Sequence, residues 1–158
     1  MKPITFLTTA IMPALHALPS TLSSDNAAAL LLTIAQQETG LRARRQDDDG
    51  PARSMFQFEE DGVKGVLTHP ASAALAHQAM IEMVYTGLSP EQLLAAMEYD
   101  QVLAATFARL ALVRDPAPLP NRNQADAGWA YYLRIWAPGV PRVMTWWDNW
   151  QRAWTAVG

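Results

Sequence analysis

No cysteine occurs among the 158 residues. That excludes a disulfide framework and thiol chemistry, without fixing a compartment. No stretch approaches the ~20 uninterrupted apolar residues of a membrane-spanning helix. Excess positive charge is missing too: 12 Lys and Arg face 15 Asp and Glu, for a net charge of −3. This balance argues against a general nucleic-acid binder. Histidine is scarce, and His16, His69 and His77 have no metal-ligand spacing. With no HExxH, a zinc peptidase and a metal site are not expected. Neither a phosphate-binding Gly loop nor a GxSxG elbow is present, so no cofactor is expected. Internal repeats and low-complexity tracts are absent as well.

What remains is a chain half of whose residues are hydrophobic, which argues against disorder. Its length suits one domain over residues 1–158. A chain of this size can bury about 68–70% of its unfolded surface, so it folds without a disulfide or metal. The opening "MKPITFLTTAIMPALHALPS" superficially resembles a secretory signal, with one Lys before an apolar run. Thr5, Thr8, Thr9, Pro13 and His16 interrupt that run, and no clear small-x-small site follows. The segment therefore reads as the first helix of the folded domain, with a cleaved signal as the alternative.

Helical patterning continues almost throughout. Ser23 or Ser24 can cap a helix running to about Thr39, with a stripe of Ala27, Leu31, Ile34 and Ala35. Gly40 then stops it. Residues 40–65 lack a helical period and predict a loop or small hairpin carrying Gly50, Gly62 and Gly65. A helix after Pro70 places Ala73, Ala76, Met80, Met83 and Val84 on one face. "SPEQ" at 89–92 is a start signal, with Ser89 as cap, Pro90 in the first turn and Gln92 completing a capping box. Leu103, Phe107, Leu110 and Ala111 define the next helix, and "DPAPLPNRN" at 115–123 is a rigid loop. Helices over about 124–136 and 142–156 follow. The expected fold is mostly α, with one irregular insert.

Glu38 breaks this pattern. It lies three residues after Ala35, four after Ile34 and seven after Leu31, so it continues the apolar stripe. Partial burial raises a carboxyl pKa, and such an acid can give its proton to a leaving group near neutral pH. The competing reading is a side chain that reaches solvent at a helix end or pairs with an arginine.

"ETG" at 38–40 and "GPARSMFQ" at 50–57 resemble the active-site segment of lytic transglycosylases related to goose-type lysozyme. In that family a helix-terminal Glu precedes a Ser, and a Gly-Ala-x-Gly-Leu-Met-Gln block follows. Here Thr39 replaces the Ser, Ser54 stands where Gly is usual, and Gln57 falls at the substrate-contacting Gln. The family's later Ala-Tyr-Asn element is matched by Ala130-Tyr131-Tyr132, making Tyr131 the counterpart of the active-site Tyr and Tyr132 the replacement for Asn. The resemblance covers about residues 25–60, and 125–136 more loosely. The same residues are similar to virion-associated muramidase-type proteins of tailed phages.

The resemblance implies a lysozyme-like fold and a peptidoglycan-cleaving lytic transglycosylase with Glu38 as catalytic acid and base. It would act on glycan strands of the host wall from a phage particle, or from the host cytoplasm before release. Such an enzyme uses one essential acid. A muramidase hydrolysing the same bond commonly needs a second carboxylate, for which Glu59, Glu60, Asp61 and Asp47–Asp49 are candidates; a solvated acidic loop is the competing reading. Gln57 offers an amide to a sugar, or holds the loop's backbone. Met55 and Phe58 are candidates for the cleft wall, with packing of the insert as their other role. Arg42, Arg44, Arg45 and Arg53 suit substrate carboxylates or the neighbouring Asp run.

All six Trp fall after residue 128. Trp147, Trp150 and Trp154 share a helical face, which suits core packing or a partner surface; one exposed Trp could instead belong to a glycan subsite. A non-enzymatic virion protein docking other virion proteins through this C-terminal face is thus the alternative from another class.

Overall fold

The computed structural model describes residues 1–158. Two helices buried on nearly every side organise it. The helix α3, Asp25–Thr39, is buried from Ala27 through Gln37, so its apolar surface is not one stripe but almost the whole cylinder. Its alanines let neighbouring helices approach closely. Ser24 caps it by accepting from the Ala27 N–H, and Gly40 ends it in the left-handed region at φ 59°. The helix α7, Gln101–Val113, is buried from Leu103 through Leu112 and capped by Asp100. These two helices contribute to one core cluster of 41 buried residues.

The other helices surround that pair. α1, Pro3–Phe6, and α2, Met12–Ala17, are joined by a π-helical turn, Leu7–Ile11. The turn comes just before Pro13, whose nitrogen has no hydrogen for the helical ladder. Phe6, Leu7, Ile11 and Leu15 are all buried, so the N-terminal segment is part of the core. α4, Glu60–Thr68, α5, Ala73–Glu82, and α6, Pro90–Met97, pack beside α7. α8, Ala125–Trp136, leads through a loop and a 3₁₀ turn, Val143–Thr145, into α9, Trp146–Val157. α9 lies along α3. No helix is long and apolar enough to cross a membrane.

The mostly helical class and the Ser89–Pro90–Gln92 capping box are as the sequence predicts. Three local expectations are corrected. The irregular insert ends at Glu59 rather than near residue 65, because Gly62 and Gly65 lie inside α4. They are close-approach residues rather than helix breakers: a Cβ on Gly65 would lie 2.5 Å from Arg114 Nη1, and one on Gly62 3.2 Å from Phe58. Val84 leaves its predicted face, since α5 ends at Glu82 and Val84 is 87% exposed with φ 63°. In α9 the inward face is Trp146, Trp150 and Trp154, while Trp147 is 44% exposed. The stripe therefore starts one residue earlier than predicted and runs at i, i+4, i+8.

Candidate active site

The insert between α3 and α4 contains no strand, only two isolated antiparallel bridges, Arg45–Arg53 and Arg53–Phe58, and a 3₁₀ turn, Asp47–Asp49. Side chains fix it to the helices. Thr39 staples it to α3: its hydroxyl lies 3.1 Å from both Ala35 O and Met55 O, to which it can donate, and accepts from the Leu41 N–H at 3.3 Å. The Met55 N–H donates to Gln101 Oε1 at 3.0 Å, and Trp136 Nε1–H to Phe56 O at 2.9 Å. On the far side, Glu98 receives Arg45 at 3.1 Å and Arg53 at 3.2 Å.

Between the insert, the end of α3 and the α8–α9 loop lies a polar cleft of about 240 Å³. Glu38, Gln57, Glu59, Tyr132, Trp136 and Arg142 all line it. Glu38 is half-buried on the last turn of α3. The Tyr132 hydroxyl donates to its Oε1 at 2.7 Å across 94 residues of chain. Burial pushes the Glu38 pKa above the ordinary carboxyl value; the Tyr132 hydrogen bond and the positive charge of Arg142 pull against that without reversing it. The same burial, with the Glu38 charge beside it, raises the Tyr132 phenol well above its usual range. Tyr132 thus remains a donor. Its ring stacks on Trp146 at 5.2 Å and 23°, which sets the direction of the hydroxyl.

Arg142 is brought in by the two glutamines that precede Glu38. Gln37 Nε2–H donates to Arg142 O at 2.7 Å, while its Oε1 accepts from Thr145 at 3.0 Å and Asn149 at 2.9 Å. Gln36 donates to Asn149 O at 3.1 Å. This network fixes the start of α9 against the end of α3, and with it the loop carrying Arg142. No carboxylate lies within ion-pair distance of Arg142.

The predicted site residues divide. Glu38, Gln57 and Tyr132 line the cleft. Gln57 also holds the loop's backbone, because Nε2–H donates to Ser54 O at 2.9 Å within the loop. Its backbone takes φ 52°, in the left-handed region. Phe58 is 5% exposed, packs on Trp136 at 5.8 Å and borders an adjoining pocket rather than the cleft itself.

Tyr131 and Met55 are corrections. The Tyr131 hydroxyl donates to Leu112 O at 2.7 Å inside the core, because neighbouring helical residues point about 100° apart and only one of the pair can face Glu38. Met55 is buried with its sulfur against Thr39 at 3.6 Å. Arg45 and Arg53 are held by Glu98 and, for Arg45, Asp49. Of the candidate second carboxylates, only Glu59 lines this cleft; Asp61 borders the adjoining pocket, and Glu60 pairs with Lys64 at 2.8 Å.

Arg142 and Trp136 are cleft residues not anticipated from the sequence. The one available signal was the pair Gln36-Gln37, two amides on an otherwise apolar helix beside the acid, which require partners when buried.

A buried, hydrogen-bonded carboxyl on a polar cleft provides a proton donor of raised pKa beside groups able to bind hydroxyls and an anion. No protein-family model matches the chain, and neither a curated protein nor a solved structure matches it.

Proposed function

We propose that the chain is a peptidoglycan-cleaving lytic transglycosylase acting on the bond between N-acetylmuramic acid and N-acetylglucosamine. The observation that carries this reading is the environment of Glu38, a half-buried acid with raised pKa at a polar cleft, accepting from Tyr132 on Oε1. With Oε1 so engaged, Oε2 is the oxygen free to carry the proton. The resemblance at residues 38–57 supplies the substrate class, and through it a setting in a phage particle or lytic system.

In the first step Glu38 protonates the glycosidic oxygen as the C1–O bond breaks and positive charge develops at C1. The resulting carboxylate then takes the proton from the muramic acid 6-hydroxyl as that oxygen bonds to C1. An anhydro ring closes, Glu38 regains its proton, and no water is consumed. Gln57 presents its amide oxygen to substrate donors and keeps a second N–H for substrate acceptors, since only one of the two is used within the loop. Arg142, unpaired on the cleft wall, suits the lactyl or stem-peptide carboxylate.

Glu59 favours a second reading. It lines the same cleft, is exposed and has no ion-pair partner, so it could direct a water to C1 as a muramidase does. Digestion of purified peptidoglycan, followed by product mass, tests both. Products ending in an anhydro sugar support the first reading; reducing ends support the second; intact wall overturns both.

A further inference from the structure

A second concavity shares no lining residue with the cleft. It has a volume of about 540 Å³ and lies between the 122–125 segment and the outer side of α9, within the ~300–1,000 Å³ usual for small-ligand sites. Trp147 is its exposed aromatic wall, at 44% exposure, and the edges of Trp150 and Trp154 lie deeper. Asn123, Gln151 and Thr155 complete it with two amides and a hydroxyl. Neither amide is used internally: Asn123 hydrogen-bonds to Asn121 through its backbone N–H, and Thr155 bonds to the Gln151 carbonyl, not to its side chain.

We infer that this groove is a binding site for a neutral oligosaccharide. An exposed indole face beside free amides matches the two surfaces of a pyranose, apolar C–H on one side and hydroxyl or acetamido groups at the rim. Charge narrows the ligand. No Asp or Glu side chain lines the groove. Its one cation, Arg122, already donates to Trp154 O at 3.2 Å and Gly158 O at 2.7 Å, with its guanidinium over the Trp154 ring. The lining thus offers a cationic ligand no acidic side chain as partner, while a neutral sugar needs none.

The Trp147 groove does not depend on cleavage at Glu38, so its test uses full-length Glu38→Gln protein and chitotetraose, a neutral N-acetylglucosamine oligomer. Titration is followed by the NMR signals of the indole N–H groups. The expected result is a saturable shift of the Trp147 signal, with affinity falling at least ~10-fold in Trp147→Ala and in Gln151→Ala, and largely restored in Trp147→Phe. Both side chains are exposed, so the variants keep the core. Shifts confined to Trp136, the indole at the cleft, would overturn the inference while leaving the cleft as a glycan site. Unchanged affinity in both alanine variants, or no shift of the Trp147 signal, would overturn it equally.

Discussion

Glu38 and Tyr132 form the pair on which the proposed chemistry rests, and each has a distinct consequence when changed. Glu38→Gln keeps the shape and loses the transferable proton, so wall cleavage should fall by ~10²–10⁴-fold. The same variant should change stability with a definite sign. Because the folded pKa of Glu38 is raised, its protonated form is favoured in the fold, and that contribution is full below the unfolded value. It is lost as pH rises through the folded pKa. Replacing Glu38 by the neutral amide should therefore raise the melting temperature at pH 7 more than at pH 4, as calorimetry can measure. An equal effect at both values would place Glu38 in solvent.

Tyr132→Phe and Arg142→Gln remove the two influences that lower the Glu38 pKa. In the proposed mechanism the protonated acid is the active form, so the alkaline limb of the pH–rate profile should move to higher pH in both. A limb that stays in place in both variants would assign the titration to another group.

At the scale of elements, the insert is held to the body by Thr39, Gln101, Trp136 and Glu98 rather than by a sheet. Glu98→Ala removes the tie of Arg45 and Arg53 to the end of α6, leaving them only their partners within the insert. If these pairs hold Gln57 in place, kcat/KM should drop by ~10-fold or more, since small displacements of binding groups are costly. Melting should change little. Normal kinetics would show that the other three anchors suffice.

The α8–α9 contact makes the opposite kind of prediction. A Cβ on Gly128 would lie 2.5 Å from the buried Trp150 ring. Gly128→Ala should therefore destabilise the protein by about 1–3 kcal/mol through overpacking. Trp150→Ala should cost about 3–5 kcal/mol. Denaturant unfolding measures both, and wild-type stability in either variant would remove Trp150 from the core.

For the molecule as a whole, the burial of α3 on all sides explains how an acid can be both desolvated and accessible. Beyond its capped first turn, only its last turn emerges, at the meeting of the insert, α8 and the α8–α9 loop. One acid in such a place favours ring closure by the sugar's own hydroxyl, and the product should be lighter than a hydrolysed muropeptide by one water. Borohydride should leave it unchanged, because it has no reducing end. Glu59→Ala should then retain most of the chemical step. Reducing products, or a loss in Glu59→Ala as severe as in Glu38→Gln, would make the enzyme a two-carboxylate lysozyme. As for docking other proteins through the tryptophans of α9, the fold turns Trp146, Trp150 and Trp154 inward, leaving Trp147 as the one presented.

The sequence by itself determined what depends on neighbours three or four residues apart. The mostly helical class, a cap at Ser23 or Ser24 and another at Ser89, the stop at Gly40 and the position of Glu38 on an apolar face were all legible from spacing, and the fold places the first cap on Ser24. Spacing failed where a residue's role depends on a distant partner. Gly62 and Gly65 looked like breakers because Phe58 and Arg114, which crowd them, belong partly to another element. Tyr131 and Tyr132 are equivalent to any local rule. Only the rotation of α8 against α3, set by Trp146 behind the ring and Gln37 holding the following loop, directs the second hydroxyl to Glu38 and brings Arg142 to the same cleft. Local periodicity specifies which face of a helix is buried, whereas the packing of one helix against another decides which side chain on that face meets its partner.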